Sequence, residues 1–170
     1  MQIILFRHGI AMEPEEAAGS GIREHERPLT RQGITRTGEA VDGLRELVES
    51  VELIAHSPLT RARQTADILA EVYPSARRAE TRALKPGAAA ETLAQFVAQR
   101  ARSESTDPVV LVGHEPDLSS WAAWAVTGKA QALFSLKKAG ACLIEFDGTP
   151  QAKSGRLVWL LTAGVLRRQG

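Results

Sequence analysis

Ile3-Ile4-Leu5-Phe6-Arg7-His8-Gly9 opens the chain with four apolar residues that run straight into a cation and an imidazole. The same layout returns at Val109-Val110-Leu111-Val112-Gly113-His114. A third, mainly apolar run covers 51–55 and leads into Ser57-Pro58-Leu59-Thr60-Arg61. Short, almost wholly apolar runs separated by helical stretches read as parallel strands buried on both faces. Ligands of such open sheets bind beyond the carboxyl ends of the strands, and all three polar clusters fall at that end. Arg7, His8, Arg61 and His114 are therefore expected at one edge of one sheet.

The stretches between these runs have helical periodicity. Thr30 is a plausible N-cap for a helix to about Glu49, with Ile34, Val41, Leu44, Leu47 and Val48 as its apolar stripe and Gly33, Gly38 and Gly43 weakening it. Pro58 suits the first turn of a helix that turns Leu59, Ala62, Ala66, Leu69 and Ala70 inward and ends near Pro74. A further helix is expected from about Ala89 to Arg102, with Leu93, Phe96 and Val97 inside, and another near 118–126 after Pro116. Segment 75–88 is basic and irregular, with one short strand around 78–81. Two closing strands, 141–146 and 156–162, flank a turn that begins with Asp147-Gly148 and form an antiparallel hairpin at one side of the sheet. Residues 10–29 read as a polar loop, long enough to carry function. The expected fold is a three-layer α/β/α sandwich with a mostly parallel central sheet and an antiparallel hairpin at its edge.

Length and charge narrow the classes. A chain of 170 residues fits one domain, 1–170, with one sizeable core. The 21 Lys and Arg nearly balance the 20 Asp and Glu, so no global field draws the protein to nucleic acid or to a membrane surface. Any anion preference is local. Cys142 is the single cysteine, which excludes an internal disulfide and reads as a core residue. The N-terminus lacks a basic-then-apolar signal layout and no apolar run approaches membrane-spanning length, so the expected address is the cytoplasm.

A histidine attacks phosphorus only as neutral imidazole, fixed in orientation by a bond to its other nitrogen. His8, at a strand end beside Gly9, can have that setting. Phosphoryl transfer then needs cations and donors around the equatorial oxygens. Arg7 is adjacent in sequence. Arg61 falls in the first turn of its helix, where the backbone N–H groups already favour an anion. His114, if protonated, adds another donor. Taken singly, each of these residues reads as an ordinary surface charge or a satisfied strand-end histidine; their joint placement argues otherwise.

Four motifs in order carry a resemblance: Arg7-His8-Gly9; Arg27-Pro28-Leu29-Thr30-Arg31-Gln32-Gly33; Ser57-Pro58-Leu59-Thr60-Arg61-Ala62-Arg63-Gln64-Thr65-Ala66; and Val112-Gly113-His114-Glu115-Pro116. Together they resemble the histidine phosphatase superfamily, the phosphoglycerate-mutase-like fold. In spacing and shortness they are most similar to its SixA-type phosphohistidine phosphatase branch, and the likeness runs from residue 2 to about 166. The resemblance implies that His8 is the nucleophile and is transiently phosphorylated. It implies that Arg7, Arg61 and His114 bind the phosphoryl oxygens and that water then releases phosphate. No metal and no cofactor enter that scheme. Gly9 and Ser57 are the further candidates for substrate contact, Ser57 through its hydroxyl or, equally, as a helix N-cap.

Many ester-cleaving members of that superfamily supply a carboxylic acid between the second and third strand-end motifs. Here the corresponding stretch, Thr81-Arg82-Ala83-Leu84-Lys85-Pro86-Gly87, has none. An alkoxide leaves badly without a proton, whereas the imidazole of a phosphohistidine departs neutral when protonated on its distal nitrogen. The first-choice substrate is therefore phosphohistidine on a signalling protein. A small-molecule phosphomonoesterase acting on a sugar phosphate and a non-catalytic phosphate-binding module are the alternatives. For any proton role Glu26 and Glu115 are the better candidates, with Glu13, Glu15, Glu16 and Glu24 read as solvated charges. His56 and His25 are read as neutral surface histidines.

Overall fold

Three parallel ladders set the frame of the computed structural model, which describes residues 1–100 and 105–170. Strand β1 (Gln2–Arg7) pairs in parallel with β4 (Val109–Gly113), and β4 pairs in parallel with β2 (Leu53–His56), which in turn pairs with β3 (Arg77–Glu80). On the other flank β5 (Ala141–Phe146) runs antiparallel to β1, and β6 (Gly155–Leu161) antiparallel to β5. The order is β3-β2-β4-β1-β5-β6, so the expected hairpin closes one side of a mostly parallel sheet.

Alternation along the central strands splits the core in two. Ile3, Leu5, Val109 and Leu111 face one way, against α4 (Ala90–Arg100) and α5 (Asp117–Thr127). Ile4, Phe6, Val110 and Val112 face the other, against α2 (Arg31–Arg45), α3 (Thr60–Val72) and the short α6 (Ala163–Leu166). This is the three-layer α/β/α arrangement. Each fully buried strand side chain contributes about 1.5–3 kcal/mol of transfer free energy, so the apolar runs hold both layers at once. Cys142 lies wholly inside, and burial pushes its thiol up to about 12.

Several local expectations shift. Residues 10–29 are not a featureless loop. They contain α1 (Pro14–Gly19), a single 3-10 turn at Glu24–Glu26 and a bridge between Ala11 and Leu29. Helix α3 starts at Thr60 with Leu59 at its N-cap, so Pro58 precedes the helix instead of entering its first turn. Segment 75–88 holds a second 3-10 turn, Arg82–Leu84. The helix expected to reach Arg102 is described to Arg100; its last residues lie outside the described set.

Helix α2 is the most instructive difference. Thr30 caps it, its Oγ1 accepting from the Gly33 N–H at 2.9 Å. Yet the expected stripe residues Ile34 and Leu47 are each 47% exposed. Val41, Leu44 and Val48 are buried as expected, and Gly33, Thr37, Ala40 and Gly43 complete the inner face in place of the other two. A Cβ at Gly33 would lie 1.9 Å from the carbonyl oxygen of Ile10, and one at Gly43 would lie 1.8 Å from that of Leu166. The glycines are what allow backbone to touch helix here, a use that outweighs their low helix propensity.

Candidate active site

Strand register brings the polar ends together. Arg7 is opposite Gly113 and His56 opposite Val112, so Ser57 is level with Gly113, and His8 and His114 each stand one residue further out. Because β4 lies between β1 and β2, the cluster sits at the carboxyl end of the sheet's centre and not at a lateral edge. The Ser57 N–H donates to the Val112 carbonyl at 3.1 Å and the His8 N–H to the Gly113 carbonyl at 3.1 Å, which keeps these loop starts in line with the sheet.

His8 is buried, and its Nδ1 lies 2.7 Å from the Gly9 carbonyl oxygen. A carbonyl only accepts, so Nδ1 carries the hydrogen and Nε2 presents a lone pair. Burial first, then His114, Arg61 and Arg7, hold the imidazole neutral, down to about 2, against the opposing pull of the Gly9 bond. Gly9 serves by its lack of a side chain, since a Cβ would stand 2.2 Å from Thr37 Oγ1. Its N–H donates to Thr65 Oγ1 at 3.1 Å, and Thr65 in turn donates to the Arg61 carbonyl at 2.8 Å. Helix α3 and the His8 loop are thereby joined through one threonine that sequence reasoning did not single out.

His114 faces His8 with ring centres 5.1 Å apart. Its Nε2 is hydrogen-bonded to Ser57 Oγ at 2.9 Å, whereas the Leu59 N–H reaches that oxygen only at 3.4 Å. Ser57 therefore orients His114, and the N-cap position belongs to Leu59. Burial, then Arg61, lowers His114 to about 3, with Arg7 and Arg27 adding to the effect and Glu24 opposing it. A charged His114 thus requires a nearby anion.

Two guanidinium groups border the imidazoles. Arg7 donates through Nη1 to the Leu136 carbonyl at 2.6 Å. Arg61 is buried in the first turn of α3, its Nη1 donating to the Glu24 carbonyl at 3.1 Å and its Nη2 lying 3.1 Å from Glu24 Oε1. Burial lowers the pKa of both; Glu115 opposes this at Arg7. Among the described residues, Arg7 Nε, Arg61 Nε and His114 Nδ1 are buried polar atoms with no protein partner. The two guanidinium Nε–H groups are donors, and His114 Nδ1 is a third when Nε2 accepts the Ser57 hydroxyl hydrogen or the ring is charged; buried donors left unbonded are costly, so the cluster marks a place built for an acceptor.

The carboxylates behave differently from expectation. Glu26 turns to Arg23, whose side-chain bond holds its carboxyl near 2. Glu115 accepts the Leu136 N–H at 3.0 Å through Oε1 and the Ser119 hydroxyl through Oε2, pinning the segment that covers Arg7. Glu24, read from sequence as a solvated charge, is the loop acid that touches the site: it bonds both Arg61 and Arg27, the latter from Nε at 2.6 Å. The Glu24-x-x-Arg27 spacing on one turn was the available signal. Lys138 also comes near, its pKa lowered by burial with Arg7, Arg27 and Arg61 adding to it while Glu13 opposes. His56 is buried against Ser57, not on the surface, with Nδ1 2.9 Å from the Ser57 carbonyl oxygen; His25 is exposed. No group of three or more His, Cys, Asp or Glu among the described residues is placed to hold a metal ion.

Residues 3–85 match the model of the Histidine phosphatase superfamily (branch 1). An uncharacterized protein of Picosynechococcus sp. is 39% identical over 166 residues, 96% of either chain. In fold the chain is similar to the protein histidine phosphatase SixA complexed with tungstate, with a TM-score of 0.80 at 21% identity over 96% of this chain and 98% of that one. It is also similar to the mycobacterial glucosyl-3-phosphoglycerate phosphatase, with a TM-score of 0.67 at 19% identity over 95% of this chain and 98% of that one.

Proposed function

We propose, from the premise that the chain belongs to the histidine phosphatase superfamily, that it hydrolyses a phosphoryl group through a covalent intermediate on His8, with phosphohistidine of a signalling protein as substrate. The observation that carries this is the buried, neutral, Nδ1-anchored imidazole of His8 set beside the unbonded Nε–H groups of Arg7 and Arg61 and the unpartnered Nδ1 of His114. His8 Nε2 attacks phosphorus, and a new P–N bond forms as the bond to the leaving group breaks. Nδ1 keeps its hydrogen on Gly9, so the phosphorylated ring bears positive charge and is itself a good leaving group. Arg7, Arg61 and His114 hold the equatorial oxygens while their negative charge is redistributed. Water then attacks the same phosphorus, the P–N bond breaks, and neutral His8 returns with release of phosphate. No step calls for a metal.

The acid for an ester leaving group is what decides substrate class. Glu26, Glu115 and Glu24 are each bonded to other protein groups, and residues 81–87 carry no carboxylate. A P–N substrate needs no such acid, because the distal nitrogen of the departing imidazole already carries a proton. One observation favours the second reading, a small-molecule monoesterase: Asp117 shares a cavity wall with His114, although its Oδ1 accepts the Gly87 N–H at 3.0 Å. Turnover of phosphoramidate and of a phosphohistidine protein is compared with turnover of sugar phosphates; a strong preference for the esters overturns the first reading. Rapid quench is expected to trap acid-labile phosphate on His8. An active His8→Ala protein refutes the nucleophile, and binding of oxyanions with no turnover of any of these substrates marks a non-catalytic phosphate-binding module.

A further inference from the structure

We infer that the cavity beside His114 is a side-chain subsite for the protein substrate, taking one apolar residue near the phosphohistidine; this rests on the phosphohistidine reading above. The cavity measures about 300 Å³ and is lined in its interior by Leu84, Leu93, Leu118, Trp121 and Trp124. Its wall is braced by Trp121, which donates its Nε1–H to the Ala90 carbonyl at 3.1 Å and packs on Trp124 with ring centres 5.7 Å apart. One wall is His114, whose ring stands 5.1 Å from that of His8. A side chain in the cavity therefore lies next to the His8–His114 pair, within reach of a phosphohistidine bound there.

The lining selects the occupant. A sugar here would strand its hydroxyls against leucine and tryptophan, a loss for each unpaired polar group. A leucine, methionine or phenylalanine side chain fits the volume and gains by leaving water. The mouth carries Lys85, Glu91 and Asp117, charges of both signs around an apolar centre. A polar rim around an anchor pocket is the pattern of a protein contact. The absence of a carboxylate in 81–87, on the same wall, again favours a protein phosphohistidine over an apolar ester.

The test is a set of phosphohistidine peptides, alanine elsewhere, in which a single leucine is moved through the four positions on either side of the phosphohistidine. At one or more positions kcat/KM is expected to rise about tenfold or more over the all-alanine peptide. Ala88→Trp, at the cavity mouth, and Ala89→Trp, on the exposed rim, are each expected to flatten that preference by filling the entrance. A leucine scan that stays within twofold everywhere overturns the inference. So does a leucine preference that survives in both folded variants, or a preference for serine over leucine at the favoured position. Phosphoramidate, which has nothing to place in the cavity, is run alongside. If it is hydrolysed and the peptides show no preference, the subsite alone fails; if neither it nor any peptide is hydrolysed, the phosphohistidine reading fails and the subsite with it.

Discussion

Lowering the pH from 8 to 5 is expected to cost the protein about 4 kcal/mol of stability through His8 and His114 alone. In the unfolded chain each imidazole titrates at 6.5; in the folded protein burial and neighbouring cations hold them at about 2 and about 3. Both folded values are depressed, so the stabilisation is complete above 6.5 and is lost as the pH falls below it. At pH 5 the unfolded chain has bound a proton at each site and the native protein has not. Each histidine then contributes a loss of about 2 kcal/mol, from RT ln(1 + 10^1.5). The depth of the depression does not enter as long as the folded values stay below about 4. Urea unfolding at pH 8 and pH 5 measures it, with His8→Asn and His114→Asn as controls. Each variant is expected to show a pH 8 to pH 5 loss smaller than that of the unsubstituted protein by about 2 kcal/mol. Equal losses in all three proteins would refute the claim that these imidazoles are buried neutral.

Arg61→Ala is expected to lower kcat by about 100-fold or more, since it removes a charge aimed at the transition state; stopped-flow phosphate release reads it, and an unchanged kcat contradicts the role. Ser57→Ala leaves the buried His114 Nε2 without its partner and is expected to lower kcat about tenfold and Tm by roughly 2–8 °C, as measured by activity and thermal melting. Gly33→Ala places a Cβ 1.9 Å from the Ile10 carbonyl oxygen and is expected to destabilise the fold by about 2 kcal/mol or more in urea unfolding; a Tm within 1 °C of the parent would show that the α2 contact yields freely.

The strands and the gathering of the candidate residues at one end of the sheet were legible because they depend on short-range patterns. Apolar runs at 3–6 and 109–112 read as central strands buried on both faces, whereas the similar run Leu157–Leu161 lies on the edge strand β6 and leaves Leu157, Val158 and Leu160 exposed. The polar residue that ends each run is carried to the sheet's carboxyl end by chain direction alone. Helix faces were less legible where glycine supplies the contact: the α2 stripe misplaced Ile34 and Leu47 because hydrophobicity does not register a backbone packed against Gly33 and Gly43. His56 was misread for a related reason, since a polar residue at a strand end is buried or exposed according to what the neighbouring loop does.

What the sequence determined by itself is therefore the layered α/β class, the strand ends, and the meeting of Arg7, His8, Arg61 and His114 in one candidate site, all consequences of local periodicity and chain direction. What only the tertiary structure decided is which group each of them touches. Ser57 bonds His114 instead of capping a helix, and Glu24 reaches Arg61 across 37 residues, while Glu115 is taken up by the Leu136 N–H. Those pairings depend on angles and loop paths set by packing far along the chain. A bond that succeeds or fails within half an ångström is fixed by the whole fold and not by the spacing of its partners in sequence.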